Sequence, residues 1–143
     1  MMLSGEPMKE TIDSLSKKGK MIFFAGATEK QIHEFELMHD IVLPSQYREW
    51  LKFSDGGDLF LPAGVQLYGV AHKPLINVMD GEGDIVGCIV IGALTTGDPI
   101  VCESNDETIS IYNQEAERIE NDEQFANFLD FLNNLSGIVG EGD

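Results

Sequence analysis

The sequence predicts an α+β fold, an antiparallel sheet of about four to six strands packed against N-terminal helices and a C-terminal helix. Apolar residues recur at helical spacing as far as Ser54, give way to short β-branched and aromatic runs after Gly56 and Gly57, and return to helical spacing near the C-terminus. Most segments between the strand-like runs are too short for a crossover helix, so successive strands pair antiparallel. A chain of 143 residues suits one domain, 1–143, around a single core.

Each element has a local reason. Met8, Ile12 and Leu15 make residues 6–18 an amphipathic helix, and Gly19 suits a left-handed cap. "MIFFAGA" follows as a short apolar connection. Thr28 caps a second helix with Gln31 in capping-box position; Ile32, Phe35 and Met38 form its apolar stripe, and it ends near Asp40. Pro44 is preset for a first helical turn, and Tyr47, Trp50, Leu51 and Ser54 share one face of a third, short helix stopped by Gly56 and Gly57. "DLFLP", "VQLYGV", "DIVGCIVIGAL", "DPIVCES" and "TISIYNQ" read as strands, with "TTGD" at 95–98 as a hairpin turn. Asn121 caps a closing helix with Gln124 three residues on; Phe125, Phe128, Leu129, Leu132 and Leu135 form its stripe before Gly137, and "GIVGEGD" is left as a frayed tail.

Chemistry-bearing patterns are scarce. His33 and His39 are six apart and fall on different helix faces, while Cys88 and Cys102 lack the spacing of a zinc site and read as small buried hydrophobes in a reducing compartment. The acidic loop "DGEGD" at 80–84 resembles part of a calcium loop, but the glutamate that should close it falls at Ile91. Gly81, Gly83 and Gly87 precede a strand where a dinucleotide fingerprint requires a helix, and no Walker-type GK[ST] occurs. No serine lies in a nucleophile elbow. The expectation is a protein that is not an enzyme and takes no cofactor and no metal.

No apolar run approaches the roughly 18 residues of a membrane span, and the first twenty residues lack the apolar core of a secretory signal. A cytoplasmic protein is expected. Its formal net charge is −16, and from Pro74 onward fifteen Asp and Glu face one basic residue, Arg118. Such a field repels phosphate backbones and anionic lipid, and it steers in a basic protein partner; solubility is the plainer use of the same charge.

Tyr47, Trp50 and Leu51 have burial as their first role, and Gly56 and Gly57 permit a tight reversal into the first strand, so this stretch reads as a fold determinant. It also carries a resemblance. A helix with "IHEFE", then "LPSQYREWLKFSDGG", then "QLYGV" resembles the SUKH superfamily, the Smi/Knr-type family of bacterial immunity proteins and fungal cell-wall regulators. The resemblance spans a core of about residues 28–135 and closes on "SNDETISIYNQ" and an "FANFLDFL" helix. Glu36, Leu43, Pro44, Tyr47, Trp50, Leu51, Gly56 and Gly57 match its signature; Asp55 stands where such proteins commonly carry Asn.

The resemblance implies an α+β domain without established catalysis, one that binds and neutralises a cognate polymorphic toxin, often a nuclease. The alternative it implies is a regulatory or scaffold interaction module. On the charge argument, the acids expected to meet a basic toxin are those of strand-connecting loops: Asp80, Glu82, Asp84, Asp98, Asp106 and Glu107. Glu123 and Asp130 are assigned to the solvated face of the last helix.

Overall fold

A computed structural model describes residues 5–17, 20–61, 64–71, 75–78, 88–94, 97–116 and 118–134. Helix α1 (Gly5–Ser16) leads into strand β1 (Lys20–Ile22), followed by α2 (Glu29–His39) and α3 (Ser45–Phe53). Seven strands follow: β2 (Gly57–Leu61), β3 (Val65–Leu67), β4 (Asn77–Val78), β5 (Cys88–Leu94), β6 (Pro99–Glu103), β7 (Ile109–Asn113) and β8 (Arg118–Phe125). Helix α4 (Phe128–Asn133) closes the described chain. The class is the one expected, α+β with N-terminal and C-terminal helices on an antiparallel sheet.

The sheet has eight strands in the order β1-β2-β3-β5-β6-β7-β8, with β4 also pairing β5. Beta-3 and β4 share one side of β5, at Gly92–Leu94 and Ile89–Val90 respectively. Strands β5 and β6 pair as a hairpin, where the Leu94 amide donates to the Asp98 carbonyl at 2.9 Å and the Gly97 amide to the Leu94 carbonyl at 2.8 Å; Thr95 and Thr96 of the expected "TTGD" turn lie outside the described residues. Gly97 has φ +101° there, a backbone region open to glycine.

The capping box of α2 forms as its sequence implies, with Thr28 Oγ1 accepting from the Gln31 amide and Gln31 Oε1 accepting from the Thr28 amide. Its buried stripe is Ile32, Phe35 and Glu36, not Ile32, Phe35 and Met38. Glu36 sits four residues after Ile32 and therefore points the same way, while Met38, six residues on, is turned outward.

The C-terminal region departs further. Asn121 does not cap a helix; residues 118–125 are β8, paired with β7 through Ile109–Phe125 and Ser110–Gln124. The helix starts at Phe128, capped by Asn127, whose side chain accepts from the Asp130 amide at 2.8 Å. "NDEQ" carries the local signature of a capping box, but the open edge of β7 offers the segment strand pairing on both sides of a register shift between Ser110 and Tyr112, and that pairing prevails. Leu135 and Gly137, expected at the helix end, lie outside the described residues, as do Lys18 and Gly19. The connection "MIFFAGA" contributes β1, an edge strand paired with β2.

The core gathers α3, α4 and the sheet. Trp50, Tyr47, Phe128, Phe131, Leu67, Ile89, Ile91 and Ile100 are fully buried. Tyr47 and Trp50 both meet Phe128 edge to face, with centroids 4.9 and 5.8 Å away. Cys102 is buried, as expected of a small hydrophobe; the Cys88 side chain lies outside what is described.

Candidate functional site

Between Glu36 and Gly57, the polar atoms of Glu36, Tyr47, Trp50, Ser54 and Asp55 turn inward. Glu36 is nearly buried; its Oε2 accepts from the Leu43 amide at 2.8 Å and lies 3.4 Å from Arg48 Nε, so one carboxylate ties the end of α2 to the entry and body of α3. Leu43 and Pro44 are buried beside it. The Tyr47 hydroxyl donates to the carbonyls of Tyr68 and Ile91, and burial pushes its phenol well above its ordinary pKa. Trp50 Nε1 donates to the Gly56 carbonyl at 3.0 Å, and Ser54 Oγ donates to that same oxygen at 2.7 Å.

Gly56 and Gly57 have φ +103° and +135°, so the reversal into β2 uses backbone that side chains rarely adopt. Asp55 is fully buried between them and α3. Its Oδ1 and Oδ2 accept from the Val70 and Ala71 amides at 2.7 and 2.9 Å, clamping the chain after β3. A carboxylate presents acceptors only, so both donors are met. Close approach is needed too: a Cβ on Gly69 would stand 2.6 Å from Asp55 Cγ.

The acidic candidates are distributed unevenly. Asp98 is half-buried at the β5–β6 turn, where Oδ1 accepts from the Gln114 amide. Asp106 and Glu107 lie in the β6–β7 connection, at the other end of β6 from Asp98. Asp106 is exposed and folds its carboxylate onto the Thr108 amide. Glu107 has a local task that its sequence does not announce. Pro44 gives α3 no side-chain cap, and Glu107 instead accepts from the Ser45 amide at 2.8 Å and from Ser45 Oγ at 3.1 Å, placing negative charge at the helix N-terminus. Asp80, Glu82 and Asp84 lie outside the described residues; the first residue of β5, Cys88, has Glu103 as its register partner at the β6–β7 end of the sheet. Glu123 belongs to β8 rather than a helix, and Asp130 accepts from the Ala126 amide beside the start of α4.

Concave surface exists away from these acids. A groove of about 490 Å³ runs between α1 and α3, lined by Ile12, Phe23 and Phe53 with Lys9, Lys52, Asp13 and Glu49 balancing charge around it. Lys52 is engaged there with Glu29 and Glu49 at 3.1 and 3.4 Å; the Glu29 bond raises its pKa and lowers that of Glu29. Two smaller grooves flank the end of α2. Of the exposed Leu37, Met38, Val42 and Leu75 around them, Met38 is the one its spacing assigns to the buried stripe of α2, and no motif marks the other three as surface. A signal was present, since Leu37 and Met38 are neighbours on a helix whose buried stripe already runs through Ile32, Phe35 and Glu36. Among the described residues, no group of three or more His, Cys, Asp or Glu is placed to hold a metal ion, and no helix is long and apolar enough to cross a membrane.

A family model described as SMI1 / KNR4 family (SUKH-1) matches residues 26–134, a span that contains the whole Glu36–Gly57 network and α4. No curated protein matches the chain.

Proposed function

We propose, because the chain belongs to the SMI1 / KNR4 family (SUKH-1), that it is a non-enzymatic binding protein, an immunity protein that neutralises a cognate polymorphic toxin by direct contact. The observation that carries this reading is the inward use of the signature residues. Glu36, Tyr47 and Trp50, with Asp55 beside them at the position that departs from the signature, are engaged through hydrogen bonds to backbone, and they present no reactive group to a ligand. What is left for the surface is charge and a few apolar side chains. With a net charge of −16, the partner that this surface favours is basic, and a nuclease domain is basic because it must hold phosphate.

Glu103, Asp106 and Glu107 belong to one end of the sheet, and they are the acids we assign to the toxin-facing side; Asp80, Glu82 and Asp84, outside the described residues, are assigned to it on charge alone. Asp98 belongs to the other end. The test is a binding titration of the full chain against the toxin domain encoded beside its gene. Association should slow markedly as salt rises from about 50 to 500 mM, where the screening length falls from roughly 14 to 4 Å. Absence of binding to that domain overturns the immunity reading, and a complex indifferent to salt removes charge from its basis.

A further inference from the structure

Two adjacent apolar side chains stand outward on the last turn of α2: Leu37 is 68% exposed and Met38 78%. They form a ridge between two grooves. On the Leu37 side a groove of about 370 Å³ is shared with Asp40, Val42 and Ser104; on the Met38 side one of about 340 Å³ is shared with Glu34, Val70 and Leu75. Val42 is itself 48% exposed and Leu75 42%, so four of the seven large apolar residues exposed among those described line these two grooves, the others being Ile22, Phe23 and Phe53.

Both groove floors are held in place. The Val42 amide donates to Ser104 Oγ at 2.8 Å and the Asn105 amide to the Val42 carbonyl at 2.8 Å, tying the turn after α2 to the β6–β7 connection. On the other side, the Asp55 carboxylate holds the amides of Val70 and Ala71. A surface built this way loses little freedom when it is covered. The Leu37 groove carries Asp40 and His33 and the Met38 groove Glu34 and His39, with no lysine or arginine among the described lining residues; Glu103 and Asp106 are chain neighbours of Ser104 and Asn105, and Glu36, the other acid on the Leu37 side, is already met by Arg48.

We propose that this ridge and its two grooves dock a basic protein surface that presents an apolar side chain. Charge complementarity selects that occupant: acidic rims around an apolar centre repel an anionic membrane, and a second copy of this chain would bring the same acids against each other. The identity of the partner as a toxin rests on the immunity reading, whereas the chemistry of the surface does not.

Two probes separate these. The first is a synthetic amphipathic peptide with one leucine face and one lysine face, followed by amide chemical shifts of the full chain. Shifts should concentrate at residues 34–42, 70–71, 75–78 and 103–107, and Leu37→Ser with Met38→Ser should weaken binding about tenfold or more, while replacing the peptide's lysines by glutamates abolishes it. Shifts centred on the α1–α3 groove, unchanged affinity of the double variant, or a dimer of the unmodified chain that the double variant dissolves would each overturn the proposal. The second probe is the toxin domain encoded beside the gene. If it binds and ignores both serines, the docking assignment falls and the immunity reading stands. If it does not bind while the peptide maps as expected, the immunity reading falls and the surface stands.

Discussion

Helix α3 and the last turn of α2 are neighbours in sequence and dispose of their apolar residues in opposite ways. Tyr47, Trp50 and Leu51 of α3 are fully buried, and the polar atoms of Tyr47 and Trp50 bond carbonyls of other segments. Leu37 and Met38 of α2 project into solvent. The difference shows how a domain can keep a shared interior while leaving a small patch for recognition. Side chains that carry several hydrogen bonds and fill the core admit little change, and those that touch nothing are free to be tuned to a partner.

The comparison breaks most visibly at Trp50. Trp50→Ala should cost about 3 to 5 kcal/mol, because it empties a fully buried site and leaves the Gly56 carbonyl without its indole donor. Denaturant titration measures it, and a loss below about 1 kcal/mol would contradict the burial of this ring.

Tyr47 gives the interior a pH signature. Burial holds its phenol in the neutral form, so its folded pKa lies above that of the unfolded chain, near 10. Its contribution is therefore fully present below about pH 10 and is lost as pH rises beyond it toward the folded value. In an alkaline spectrophotometric titration, one of the three tyrosines should ionise only together with unfolding. Ionisation of all three in the native protein would refute the hydrogen-bonded, buried phenol.

Glu107 stands between the two regions, since it is an exposed acid with a structural partner. Glu107→Ala should destabilise by about 0.5 to 2 kcal/mol through loss of the cap on α3. A neutral result in thermal or chemical unfolding would return it to the purely surface role that its sequence suggests. The smallest effect on stability belongs to the outward face. Leu37→Ser with Met38→Ser should change stability by less than about 0.5 kcal/mol, measured by the same denaturant titration, whatever it does to binding. A large loss would mean that these side chains are part of the core.

Much of the interior was legible locally. The Thr28–Gln31 capping box, the Tyr47–Trp50–Leu51 face and the positive-φ glycines 56 and 57 are signals written within a few residues of one another. Local signals do not decide a segment that has two locally acceptable states. "NDEQF" satisfies a helix cap as well as a strand, and β7 decides between them. The candidate acids were legible as charges but not as neighbours: only the strand register separates Asp98 from Asp106 and Glu107 by the length of β6 and brings Cys88 beside Glu103.

The sequence by itself determined the period of each segment, the places where the chain must reverse and the excess of negative charge, since each depends on residue type and spacing alone. Tertiary structure decided which acceptor each buried donor meets and which apolar residues are left over. Asp55 reaches the amides of Val70 and Ala71, Glu107 caps a helix 62 residues before it, and α2 buries its Ile32–Phe35–Glu36 face, leaving Met38 outward. These outcomes follow from the demand that buried polar groups find partners across the fold, and no window of neighbouring residues contains those partners.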